Sequence, residues 1–129
     1  MAKASGEFEV KLKPQVMDDN GGGTLGRMSI DKTFHGDLDA TSKGEMLTAG
    51  TAVQGSAGYV AMERVSGTLA GRSGTFVLQH NGMMERGVPG LMIRVVPDSG
   101  TDQLEGLSGT MSIEMNGGKH AYEFEYSVE

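Results

Sequence analysis

Glycine recurs along this chain too often for a helix to form. Between Gly21 and Gly118 no glycine-free stretch is longer than nine residues. An ordinary helix needs about eleven or twelve residues and loses about 1 kcal/mol for each interior glycine. Twenty-one glycines in 129 residues therefore point to short strands joined by turns, with little or no helix. An internal repeat says the same. LAGRSGTFVLQHNG (Leu69 to Gly82) returns 35 residues later as LEGLSGTMSIEMNG (Leu104 to Gly117), with seven of fourteen positions identical. The identities fall at the entrance and exit of each segment. Between them only an alternation is shared, with Phe76, Leu78 and His80 against Met111, Ile113 and Met115. That is how one strand and its turns are written twice.

Alternation gives eight candidate strands in a single domain spanning residues 1–129. Phe8, Val10 and Leu12 carry the first, which Pro14 helps to end. The others run from about Leu25 to His35, Leu38 to Val53, Tyr59 to Leu69, Gly74 to Asn81, Leu91 to Val96, Leu107 to Met115 and Lys119 to Val128. A tight turn at Gly71-Arg72 sets Gly67 opposite Phe76, Val65 opposite Leu78 and Glu63 opposite His80. One opened by Asn116-Gly117 sets Gly109 opposite Phe124. A two-residue turn at Gly36-Asp37 would set Phe34 against Asp39, so a bulge is expected there. Eight short antiparallel strands in so small a domain predict an all-β, up-and-down barrel, because closure removes the edges that a sandwich leaves open. Such a barrel is filled by side chains or by one small ligand.

Charge and composition narrow the partners. The net charge is −6, no Lys/Arg cluster exists and there is no Trp, so nucleic acid is not expected. No apolar run approaches the roughly 18 residues that span a bilayer, and the start MAKASGEFEV lacks the apolar core of a signal peptide. With no cysteine, thiol chemistry and Cys-based metal sites are excluded, and a cytoplasmic location without membrane attachment is the expectation. The stretch Asp18-Asp19-Asn20-Gly21-Gly22-Gly23 lacks the ligand spacing of an EF-hand and reads as a turn. In an up-and-down meander His35 falls at the end opposite His80 and His120, which argues against a three-histidine zinc site. Neither metal nor cofactor is expected.

Glu63 beside His80 is the best chemical constellation. A carboxylate next to an imidazole in an apolar cavity tunes both groups for acid–base work. Tyr59, Phe76 and Leu78 share their face, and His120 with Tyr122 on the last strand completes a polar mouth. Ten methionines suit a soft interior that adapts to a guest. Met62, Arg64, Val77, Gln79, Met92 and Val96 fall on the outer face, which is more apolar than a free barrel wall needs, so a homo-oligomer is expected, most simply a dimer.

The strings ERVSGTLAGRSGTFVLQHNG (Glu63 to Gly82), VVPDSGTDQLEGLSG (Val95 to Gly109), KTFHGDL (Lys32 to Leu38) and the ending AYEFEYSVE resemble the bacterial family of domain of unknown function 3224, collinearly over nearly the whole chain. That resemblance implies a barrel like that of allene oxide cyclase. The stretch SGT-x-x-L-x-G-L-x-G also resembles a motif of dirigent proteins, a related barrel group whose members hold small apolar molecules. It carries over no catalytic residue, because function is not a property of a fold. Three readings follow: a barrel that binds a small apolar or amphipathic molecule, an isomerase or cyclase using Glu63 and His80 on a confined molecule, and a filled barrel that acts through its surface as a homo-oligomer.

Overall fold

A computed structural model describes residues 1–16 and 24–129, so the Asp18–Gly23 turn lies outside the described residues. Eight antiparallel strands close into one barrel in sequence order: β1 (Ala2–Gln15), β2 (Leu25–Gly36), β3 (Leu38–Gly50), β4 (Ala57–Leu69), β5 (Arg72–Glu85), β6 (Val88–Val95), β7 (Leu107–Asn116) and β8 (Lys119–Val128). The only helical element among the described residues is a 3-10 turn at Asp102–Leu104, and no helix there is long and apolar enough to cross a membrane. Most strands are longer than the alternation suggests, but β3 stops at Gly50, short of the expected Val53, and β8 has the expected bounds. Pro14 lies inside β1, which it was expected to end. Beyond Phe8 that strand pairs only with β2, and an edge position tolerates a residue without an N–H.

Both tight hairpins slip by two residues from the expected register. Ala70 and Gly71 form the first turn, both at positive φ (48° and 85°), so Gly67 faces Gly74, Val65 faces Phe76 and Glu63 faces Leu78. Gly117 and Gly118 form the second, also at positive φ, and Gly109 faces Tyr126 while Met111 faces Phe124. A slip of two keeps every side chain on its face, since the side-chain period of a strand is two. The third hairpin takes an extra residue. Phe34 faces Ala40, and the turn centres on Asp37, whose backbone N–H bonds the Ser5 carbonyl at 3.2 Å.

The meander gives the barrel two unlike ends. At the base, where the β2–β3 and β4–β5 turns lie, Phe34, Phe76, Phe124, Leu38, Leu69 and Leu104 are fully buried. The rings of Phe76 and Phe124 stack with centroids 5.9 Å apart, and Phe34 meets Tyr122 edge-on at 5.6 Å. At the mouth, inward positions such as Leu12, Met84, Leu91 and Met115 remain substantially exposed. The wall is thinnest between β6 and β7, which share only the pairs Ile93–Met111 and Arg94–Thr110. Below that point the connection from Val96 to Gly106 takes over the free edge of β5. Val96 N–H bonds Val77 O, Thr101 N–H bonds Thr75 O, and the side chains of Ser99, Thr101 and Gln103 accept from Val77, Thr75 and Ser73.

Tyr122 closes the irregular β2–β3 turn. Its hydroxyl accepts from Leu38 N–H at 2.9 Å and donates to His35 O at 2.8 Å, which satisfies backbone groups that the hairpin does not. Burial raises its pKa most; the Leu38 hydrogen bond opposes this and the nearby Asp37 and Asp39 charges add to it. Tyr122→Phe strands both backbone groups while sparing the ring packing, so it should destabilise the fold by about 1–3 kcal/mol. Urea unfolding of the two proteins measures this, and equal midpoints would mean that water satisfies the turn just as well.

Candidate functional site

Alternation along β4 turns Tyr59, Ala61, Glu63 and Val65 inward. Glu63 faces Gly44 of β3, and the two backbones lie so close that a Cβ on Gly44 would sit 2.6 Å from Glu63 Cα. The missing side chain leaves the room that the carboxylate needs beside β3. Three groups converge on it. Lys32 Nζ of β2 stands 2.9 Å from Oε1, His80 Nε2 of β5 is 2.5 Å from the same oxygen, and Ser42 Oγ of β3 donates to Oε2 at 2.5 Å. Lys32, Ser42, Glu63 and His80 are all buried, and no buried side-chain polar atom among the described residues lacks a partner. The Lys32 ammonium also lies over the rings of Phe8 and Phe34, at 5.1 and 5.7 Å from their centroids.

This cluster decides the charge of Glu63. Burial alone would push its carboxyl up. The His80 hydrogen bond, the Lys32 charge, the Ser42 hydroxyl and the His80 charge together outweigh burial and lower it from 4.5 to about 2. Glu63 is therefore a carboxylate at neutral pH, and it accepts from His80 Nε2–H. The other ring nitrogen, Nδ1, is 3.4 Å from the hydroxyl of Tyr59. Burial first, and the negative charge of Glu63 second, raise the Tyr59 pKa, so this phenol stays protonated.

Tyr59 connects the cluster to open space. Its ring lies across Gly82, where a Cβ would stand 2.9 Å from Cδ1, so the glycine sets the ring's place. On the mouth side of the ring is an apolar cleft of about 430 Å³, whose walls include Met46, Thr48, Met83, Met84, Pro89 and Leu91. A chain of groups thus runs inward from the cleft: Tyr59, His80, Glu63, Lys32.

The residues singled out by sequence divide accordingly. Glu63 and His80 meet diagonally across the β4–β5 pair, not face to face, because His80 is opposite Ala61. Tyr59 borders the cleft. Phe76 and Leu78 lie packed in the core beneath it, and Tyr122 is anchored at the base by its hydroxyl. His120 stacks on Phe8, with centroids 5.0 Å apart, beside a separate depression lined by Glu7, Glu9 and Lys119. His35 pairs with Glu9 on the surface at 3.2 Å. Among the described residues no three His, Cys, Asp or Glu side chains gather as metal ligands would. Sequence reasoning missed Lys32, Ser42 and Gly44. Their signal was available, since Ile30, Lys32 and Phe34 alternate on one face of β2, as do Ala40, Ser42, Gly44 and Met46 on β3.

Residues 4–126 match the family model described as Protein of unknown function (DUF3224), and the chain belongs to that family. A crystal structure of a protein with unknown function from the same family, from Shewanella oneidensis MR-1, is similar over 100% of this chain and 98% of its own, with 54% identity and a TM-score of 0.96. No curated protein matches the chain.

The depressed Glu63 carboxyl fixes how stability responds to acid. Its contribution is whole above 4.5, the unfolded value, and is lost as the pH falls from there through about 2. Wild type should therefore lose stability over that window faster than Glu63→Gln, which has no proton to take up. At neutral pH Glu63→Gln should itself be less stable by about 3–5 kcal/mol, because it leaves the Lys32 ammonium buried without its counter-charge. Chemical unfolding of both proteins across the window checks this; parallel acid slopes would show that the carboxylate is not held charged.

Proposed function

We propose that this member of the DUF3224 family holds a small apolar or amphipathic molecule in the cleft at the mouth of its barrel. The observation that carries this reading is the cleft itself. At about 430 Å³ it falls within the range of small-molecule sites, and its walls are methionine, leucine and proline with few polar groups, of which the Tyr59 hydroxyl leads inward. Methionine is unbranched and polarizable, so Met46, Met83 and Met84 can reshape the walls around guests of different outline. The base of the barrel is filled by aromatic side chains, which confines a guest to the upper half. The polar end of an amphipathic guest would lie against Tyr59.

A second reading is favoured by one observation, the continuity from the cleft through Tyr59 and His80 to an ionised Glu63. In the tautomer whose Nε2–H is held by Glu63, Nδ1 faces the Tyr59 hydroxyl and could receive its proton and return it. Such a relay would let Tyr59 exchange a proton with a confined molecule, as an isomerase or cyclase requires. Tyr59 would be the group that touches the substrate, and His80 and Glu63 would act through it. Incubating a small-molecule cell extract with wild type and with Tyr59→Phe tests this. A compound consumed by wild type alone supports it, and identical extracts count against it.

The binding reading has its own test in the neutral fluorescent probe N-phenyl-1-naphthylamine. Wild type should bind it saturably. Leu91→Glu, which puts a charge into the cleft wall at a partly exposed position, should weaken binding by about tenfold or more with little change in melting temperature. Absence of saturable binding by wild type, or equal affinity in the variant, would remove the cleft as the site.

A further inference from the structure

The hydrogen bonds behind the cleft run in one direction, and that direction is set at their inner end. An ionised carboxylate only accepts. Each neighbour of Glu63 therefore donates to it, Lys32 Nζ and His80 Nε2 to one oxygen and Ser42 Oγ to the other. The Lys32 ammonium balances that carboxylate inside the barrel, and a second proton on His80 would add a buried cation with no counter-charge of its own. The imidazole thus keeps its proton on Nε2 and turns the lone pair of Nδ1 toward Tyr59, whose ring centroid lies 6.2 Å from its own. Tyr59 directs its hydroxyl proton to Nδ1, 3.4 Å away, which leaves the oxygen lone pairs for the cleft.

The other walls of the cleft do not compete with this contact. Among the described residues no charged side chain lines it, and Thr48 is the one further polar side chain there. A threonine hydroxyl both donates and accepts, so it does not discriminate. An ion of either sign would be stripped of water in the cleft without an answering charge. Lys32 is engaged by Glu63 and lies over the rings of Phe8 and Phe34.

We propose that the cleft selects an uncharged guest whose polar end is a hydrogen-bond donor, an apolar alcohol or phenol, over a carbonyl or carboxylate of the same shape. This rests on the reading of the cleft as a small-molecule site and adds the sense of its directional contact. The guest's hydroxyl donates to the Tyr59 oxygen and extends by one link a chain in which every proton points toward Glu63. A carbonyl oxygen in the same place would meet lone pairs, and its lost hydrogen bonds to water would go unreplaced. A carboxylate would bring an unanswered charge as well.

Displacement of N-phenyl-1-naphthylamine near neutral pH by compounds built on one ring system tests this: 1-naphthol, 1-methoxynaphthalene, 1-naphthaldehyde and 1-naphthoate. The naphthol should displace the probe at concentrations about fivefold to tenfold lower than the methyl ether or the aldehyde, and the naphthoate should be the weakest. Tyr59→Phe should abolish the naphthol's advantage over the methyl ether. Thr48→Val, whatever it does to absolute affinity, should keep the ranking. Melting curves for both variants show that the fold is intact. An aldehyde as tight as the naphthol in wild type means that Tyr59 turns its proton outward, and overturns the proposal. An advantage that survives Tyr59→Phe, or that disappears in Thr48→Val, overturns it by placing the contact elsewhere. Each of these results leaves the cleft standing as a binding site, whereas a wild type that binds no probe saturably removes the cleft and the proposal together.

Discussion

A carboxylate shut inside an eight-stranded barrel must be answered from the barrel's own walls, and that requirement organises the interior of this protein. Glu63 draws one group each from β2, β3 and β5, so a single anion ties four consecutive strands together. Removing two charges from water costs several kcal/mol per ion, and only good geometry with every remaining lone pair satisfied offsets it. Here the ammonium, the imidazole and the hydroxyl supply that geometry, and the glycine facing Glu63 supplies the space. Well-packed apolar residues of similar volume are often as stable as such a buried ion cluster, or more so. The cluster also fixes the ring of His80, whose Nδ1 lies 3.4 Å from the Tyr59 hydroxyl at the edge of the cleft.

How far the sequence could be read follows from what strand periodicity does and does not encode. Faces were legible throughout, because inward and outward residues alternate and a register slip of two leaves them where they were. Partners were not. The turn before β5 uses Ala70 at positive φ, a conformation that a glycine search passes over, and this moved Glu63 from opposite His80 to a diagonal. The pair still meets, since both side chains are long enough to cover the diagonal. Tyr122 shows the other limit. Counting along β8 puts it near the mouth, but the strands tilt, and its neighbour on β1 is Gly6, whose own neighbour on β2 is Gly36 at the base. Height in a barrel is set by shear, which single-strand patterns do not contain.

The internal repeat is instructive for the same reason. It marks β5 and β7, and Leu69 and Leu104 at their entrances are both buried, as equal sequence would suggest. The exits diverge. Asn116-Gly117 ends β7 at a turn, while Asn81-Gly82 lies within β5, which continues to Glu85. Gly82 is kept free of a side chain by the ring of Tyr59 across the ladder, so the same dipeptide is punctuation in one copy and a bed for an aromatic ring in the other. Lys32 escaped notice for a simpler reason: a lysine within an apolar alternation is ordinarily read as an exception, when here it is the counter-ion.

The thin contact between β6 and β7 also governs how the chain comes together. The strands from β1 to β6 pair as successive hairpins, each joined to its neighbour in sequence. The β7–β8 hairpin cannot simply extend that sheet, since only two residue pairs await it on β6. It is held chiefly by β1, through seven pairs that join the two ends of the chain. Closure is thus a long-range event with a large loop to order, the kind of contact that slows folding. Amide protons beside β6 should be the first to exchange with solvent, and those between β1 and β8 should report the opening of the whole barrel.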